Sequence, residues 1–324
     1  MHPRHDSPET QRPSGSSPVG QRGLTATCPL CGQSARQRLR LPHTGVWECL
    51  SPSCRLQFAD PQLDASVLDE AYRTLYHPAD TNGNPAIQGT PSEVILQILG
   101  GIAQRMGGVA GARLLDYGCG TGEFGRIAQE QSLAVVGIEQ DPQARQQIAK
   151  RSLFPVYADI DELARNENAP FDLIILWQVI EHLRQPWNDL ARLRRLLALR
   201  GRLIAATPNA EGLRARWLRS RWENYTHPTH LYYFGLRSLR NVFERAGFSE
   251  SEEWRVKVAY PNHKWPRRGV HSVLAALRVD GDLILAARNG GDAVSGKAAA
   301  RSDEPSAFRS GGAPKGPNSS RSPR

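Results

Sequence analysis

Three groups of residues in this 324-residue chain are spaced as chemistry requires. The first is Asp116-Tyr-Gly118-Cys119-Gly120-Thr-Gly122, directly after the apolar pair Leu114-Leu115. Glycines at every second position let the backbone turn tightly and let a ligand approach the main-chain amides. The second group is Cys28-x2-Cys31 with Cys49-x4-Cys54. Four thiolates at such spacings suit tetrahedral Zn(II), and a full cysteine set leaves no open coordination position, so the expected role is structural. Cys119, the fifth cysteine, is too distant in sequence to be assumed a partner. The third group is Glu181-His182 together with His227 and His230, the last two inside the aromatic-rich run Trp222–Phe234. An imidazole titrates near neutrality and can accept a proton from a hydroxyl or an amine.

The elements that must position these groups alternate. Ser92 is placed to cap a helix with Val94, Ile95, Ile98, Leu99 and Ile102 on one side. A buried strand then ends at Leu115, and a helix opens near Thr121. Strand, glycine loop and helix begin a nucleotide-binding α/β unit. Gly120-x-Gly122-x-x-Gly125 also fits the dinucleotide pattern, but the acid directly before the loop favours another class of nucleotide-like ligand. Further strands are expected over 134–138, 154–157, 171–177, 202–206, 254–259 and 282–287. Repeated βα units imply a mostly parallel sheet with helices on both faces. Ligands of such folds bind beyond the carboxyl ends of the strands. The polar groups there are Asp116, Glu139, Asp159 and the Gln178–His182 segment. Each has a plainer alternative: Glu139 as an exposed strand-end acid, Asp159 as a helix N-cap, His230 as a hydrogen-bonded member of an aromatic cluster.

Taken in order, several pieces resemble class I S-adenosylmethionine (SAM) methyltransferases over residues 90–288. They are Asp116 to Gly122, Gly137-Ile-Glu139-x-Asp141-Pro142, Ala158-Asp159, Phe171-Asp172, Val179-Ile-Glu-His-Leu183, Gly201-Arg-Leu-Ile and Thr207-Pro-Asn209. The Ile-Glu-His-Leu and Thr-Pro-Asn signatures look like the branch that includes ubiquinone-biosynthesis O-methyltransferases. The resemblance implies a Rossmann-like, seven-stranded α/β fold, with a small N-terminal zinc ribbon ahead of it. It also implies roles. Gly118, Cys119, Gly120 and Gly122 would form the loop against the methionine part of SAM, and Asp116 would receive its ammonium. Glu139 would accept from the ribose hydroxyls, Asp159 from the adenine amine, and Gln178 would complete the pocket. His230 is the preferred base or acceptor ligand, with His182 and His227 behind it. In the quinone enzymes a further Glu three residues before the Glu-His pair helps bind a divalent metal. Gln178 stands at that position here, which argues against the metal. The expected organisation is a disordered tail over 1–24, a ribbon over 25–60, a linker with a short helix over 61–91, the methyltransferase domain over 92–288 and a second disordered tail over 289–324.

The chain is 40% apolar and carries a formal charge of +9, part of it in the tails. Residues 192–221 hold nine arginines and one acid, Glu211. These are the solvated faces of two helices, or a landing patch for an anionic acceptor such as a phosphorylated lipid, a nucleotide-sugar or RNA. With Trp217 and Trp222 beside them, a peripheral membrane contact is a further reading. No run of 18 apolar residues suggests a transmembrane helix, and no leader is evident at Met1, so the expected location is cytoplasmic. The expected function is methylation of a small or medium-sized metabolite at oxygen. RNA methylation and a non-catalytic SAM-fold binding module are the alternatives.

Overall fold

The computed structural model describes residues 25–41, 44–64, 66–68, 70–71, 92–151, 153–255 and 282–290. The expected tails, apart from residues 289–290, and the linker over 72–91 lie outside the described residues, as do Tyr72, Leu75 and Tyr76 of the expected short helix.

Four short antiparallel strands build the N-terminal ribbon: β1 (Thr25–Thr27), β2 (Ser34–Arg40), β3 (Gly45–Cys49) and β4 (Gln57–Asp60). Cys28 and Cys31 lie in the turn between β1 and β2, and Gly32 closes it with φ 75°, a conformation that costs a side chain little only at glycine. Cys49 ends β3 and Cys54 sits in the turn before β4. A unit this small cannot bury much apolar surface, so the cysteine cluster stands where a core would.

The second sheet has seven strands. β5 (Arg113–Tyr117), β6 (Ala134–Ile138), β7 (Val156–Tyr157), β8 (Phe171–Trp177) and β9 (Leu197–Pro208) run parallel. With β11 (Ser251–Glu253) and β12 (Asp282–Arg288) the order is β11-β12-β9-β8-β5-β6-β7, β12 pairing antiparallel with both neighbours. The order reverses at β5/β8, which opens a crevice beyond the carboxyl ends there. Four successive residues of β8, Leu173–Leu176, are completely buried, as a strand covered on both faces requires.

Two expectations about strands need correction. The sixth strand is Ser251–Glu253 and precedes the expected apolar run 254–259, of which 256–259 lie outside the described residues. As an edge strand it tolerates polar residues: Glu252 accepts from Arg202 at 2.8 Å, and the Trp254 indole donates to Glu252 at 2.7 Å. The third strand shrinks to Val156–Tyr157: Pro155 accepts from Gly137 N at 2.8 Å but has no N–H to extend the ladder. Ser92 also begins its helix rather than capping it, and its hydroxyl donates to Glu123 at 3.2 Å.

The two sheets are joined through β10 (Tyr232–Tyr233), which adds to the ribbon by pairing antiparallel with β4. The helix Leu236–Arg245 then grips both cysteine turns. Arg237, Asn241 and Arg245 lie on one face and donate to the carbonyls of Pro52, Ser53 and Leu30.

Phe154 fixes the spacing of the glycine loop against β6. A Cβ at Gly125 would lie 2.4 Å from its ring and one at Gly137 2.8 Å from it. We predict that Gly125→Ala lowers stability by about 1–3 kcal/mol in urea denaturation, the usual cost of overpacking. An unchanged midpoint would contradict this packing.

Candidate active site

The carboxyl ends of β5, β6 and β8 meet at one place. Asp116, in β5, is 3% exposed, and its Oδ2 has no hydrogen-bond partner among the described residues. Burial, reinforced by the nearby Glu139 charge, raises its pKa to about 7. Gly118, Gly120 and Gly122 follow with φ of 76°, 54° and 81°, so the loop depends on residues that tolerate the left-handed region. A Cβ at Gly118 would clash with Val179 at 2.6 Å, whereas one at Gly120 would meet nothing within 4 Å. The loop is therefore closed towards β8 and open above Gly120. Cys119 turns its side chain inward, where it is buried near Gly137, so only its main chain lines the loop.

Glu139 lies just past β6. Its carboxylate accepts from the amides of Gly120 at 2.8 Å and Asp141 at 2.9 Å. It thus faces the open side of the loop. Asp159 does not join it: the residue is fully exposed and caps the helix Ile160–Asn166, accepting from Glu162 N at 2.7 Å. The structure supplies the helix-cap alternative for this residue, and the cap bond holds its carboxyl below the usual range. Gln178 leaves β8 with φ 56°, strained for a non-glycine residue, and its amide donates to Ala206 O at 2.9 Å. Trp177 stacks on Phe124 at 6.4 Å beside it.

His182 and His230 are brought together from residues 48 positions apart. Their ring centroids lie 4.7 Å from each other, and His227 stacks on His230 at 4.2 Å. The backbone explains the meeting, since Leu231 N donates to Glu181 O at 2.9 Å. His182 Nδ1 lies 3.0 Å from the Thr229 carbonyl, which only accepts, so Nδ1 carries the proton and Nε2 the lone pair. Burial lowers the pKa of all three histidines, that of His182 to about 4, and keeps them neutral at pH 7.

In the sequence Glu181 stands out beside His182, in the segment whose acids and His help bind a metal in the quinone enzymes. The structure gives it more weight. It is 1% exposed, with neither carboxylate oxygen hydrogen-bonded among the described residues. Burial raises its pKa to about 8, with the Thr207 hydroxyl beside it. Ligand atoms of Glu181, His182 and His230 all lie within 4.8 Å of one another. A carboxylate and two imidazoles at that spacing could hold a divalent cation or pass a proton. No alternation pattern in the sequence signals such burial, because Glu181 lies in a single 3-10 turn, Ile180–His182.

The four ribbon cysteines are reduced and lie within 4.8 Å of one another. Cys28–Cys54 and Cys31–Cys49 sulfurs are 3.8 and 3.4 Å apart. Tetrahedral zinc with Zn–S near 2.3 Å requires sulfurs about 3.8 Å apart, so the set fits that ion.

The chain is similar to several known proteins. Residues 93–251 match the family model described as a methyltransferase domain. Ubiquinone biosynthesis O-methyltransferase of Alkalilimnicola ehrlichii is 28% identical over 115 residues, 33% of this chain and 46% of that protein. The Klebsiella pneumoniae enzyme of the same name is 26% identical over 120 residues, 35% of this chain and 50% of its own. The chain thus spans about half the length of the curated relatives it matches. A solved SAM-dependent methyltransferase from Archaeoglobus fulgidus aligns with 69% of this chain and 100% of its own, at 17% identity and TM-score 0.46. A Burkholderia thailandensis 1,6-didemethyltoxoflavin-N1-methyltransferase, solved with S-adenosylhomocysteine, covers 74% of this chain and 96% of its own, at 18% identity and TM-score 0.48. Residues 93–251 match a methyltransferase domain, and the strand order and glycine loop are those of a class I SAM-dependent methyltransferase fold.

Glu181 binds its proton more tightly in the folded chain, with a pKa of about 8 against an ordinary 4.5. Between those values the folded state holds more protons, so stability falls as pH rises through that window. Glu181→Gln removes the effect. Its stability relative to wild type should rise from pH 5 to pH 8, by on the order of 3 kcal/mol, when urea unfolding is compared at the two values. A difference independent of pH would contradict a buried, titrating carboxyl.

Proposed function

We propose that this chain transfers a methyl group from SAM to a small or medium-sized metabolite, at oxygen. The observation that carries the reading is the buried, partnerless Asp116 oxygen beside the open face of the glycine loop. A buried carboxylate without a donor is costly, and a cationic ammonium placed there would relieve it. Gly118, Gly120 and Gly122 supply the backbone contour, and Glu139 offers a carboxylate at the open side to the paired ribose hydroxyls. Asp159 gives one carboxylate oxygen to the helix cap, which leaves the other to accept from the adenine amine. Bound SAM supplies an electrophilic methyl on a sulfonium.

The residues of the chain do the rest by placement. His230 and His182, neutral at pH 7, stand past the strand ends where an acceptor would lie. An acceptor hydroxyl there would give its proton to His230 as an O–CH3 bond replaced the S–CH3 bond, with a neutral thioether as leaving group. Glu181, protonated through burial, holds a second proton nearby without adding negative charge. The names of the O-methyltransferase relatives support oxygen as the acceptor atom. The ribbon cysteines support one structural zinc, which would hold β4 in place for β10.

Glu139→Ala should weaken SAM binding by roughly 2 kcal/mol or more in calorimetric titration, because two hydroxyls lose a charged acceptor. Unchanged affinity would remove Glu139 from the site. Purified protein should contain about one zinc per chain, and chelation should lower its melting temperature. Folded protein without zinc would contradict the ribbon.

A further inference from the structure

A groove of about 540 Å³ is lined by Arg38, Leu39, Arg216, Arg219, Ser220 and Tyr225. Arg38 and Leu39 belong to the ribbon, and the other four to the segment that follows β9. Arg38 sits where the register of β2 on β3 slips, between Gln37 and Leu39. Such a bulge re-aims a side chain. Arg219 has φ 50°, a conformation uncommon outside glycine and one that surrounding structure must enforce.

The charges of this groove are poorly balanced. Arg216 and Arg219 have no acidic partner among the described residues. Arg38 reaches only Glu48, at 3.5 Å, and that carboxylate already accepts from Arg36 and Arg55 at 3.2 Å each. One acid therefore serves three guanidinium groups. Close by, Arg214 is neutralised by Glu223 at 2.8 Å, so pairing is achieved in this region where nothing opposes it. Converging guanidinium groups repel one another unless an anion lies between them. Their planar forks match phosphate oxygens, and the exposed Ser220 hydroxyl adds a donor.

One residue lining the groove shares a segment with the histidines. Tyr225 forms its wall, stacks edge-on with Tyr233 at 4.9 Å, and stands two residues before His227 on the helix Glu223–Thr226. The groove is lined by six residues, whereas a polynucleotide would need a stripe of charge along its length.

We propose that this groove binds the phosphate or pyrophosphate group of the methyl acceptor, with the ribbon forming one wall of the site. The identity of that ligand as the acceptor rests on the methyl-transfer reading above; anion binding by the groove does not. The test uses the full, zinc-loaded chain and inorganic pyrophosphate as the calorimetric probe, with SAM titrated separately into each variant. Wild type should bind pyrophosphate saturably and less tightly at high salt. Arg216→Ala/Arg219→Ala should lose at least about tenfold in affinity, with SAM binding unchanged. Removal of two distant exposed arginines, Arg151→Ala/Arg165→Ala, should change neither. No saturable pyrophosphate binding, or equal binding by the groove variant, overturns the proposal. Flotation with phosphatidylglycerol vesicles separates the source of the phosphate. Vesicle binding without pyrophosphate binding would assign these arginines to a lipid surface and also overturn it. Pyrophosphate binding without SAM binding would support the anion site and remove the methyl-transfer reading instead.

Discussion

A carboxyl group stripped of water and left without a donor costs a fold several kilocalories per mole. This protein keeps two buried carboxyls close to that condition, Asp116 through its Oδ2 and Glu181 beside the Thr207 hydroxyl, next to the carboxyl ends of β5 and β8. Each is held protonated well above the ordinary carboxyl range. The glycines around them make sense on the same terms, since the loop must pass close to β6 and β8 while leaving space above Gly120. On the proposed reading Asp116 would take the SAM ammonium, and Glu181 shares its corner with neutral imidazoles.

The corner is built from both ends of the chain. His230 owes its place to Leu231, whose amide bonds to Glu181, and to β10, which completes the ribbon sheet against β4. Tyr225 donates to Gln57 of β4 at 2.7 Å and so ties the same segment down a second time. Three side chains of the helix Leu236–Arg245 hold the cysteine turns from below. Loss of order in the ribbon would therefore be felt at the histidines. A four-cysteine ribbon is a local structure whose consequences here are not local.

Much of this was legible in the sequence. The glycine loop, the acids at strand ends and the cysteine spacing are local patterns, and the parallel strands announce themselves by continuous apolar runs such as 171–177. What escaped depends on contacts between distant segments. Nothing near Tyr232 in sequence says that it will pair with Phe58. The burial of Glu181 arises from elements that pack over a single turn. Asp159 satisfies the pattern of a strand-end ligand and of a helix cap alike, and the amide of Glu162 three residues on takes one of its oxygens for the cap. The strand at Ser251–Glu253 is polar, as suits a strand with only one edge paired among the described residues, and apolar content misplaced it.

The central claim is that Asp116 is a cation site awaiting the SAM ammonium. The most direct measurement is the enthalpy of SAM binding near pH 6.5 in several buffers of different ionisation enthalpy, on wild type and Asp116→Asn. A cation arriving beside a carboxyl whose pKa is about 7 should expel its proton. Wild type should then bind SAM with release of a substantial fraction of one proton, and Asp116→Asn should bind more weakly with that release abolished. Binding whose enthalpy is the same in every buffer, or failure of the folded, zinc-loaded protein to bind SAM, would contradict the account.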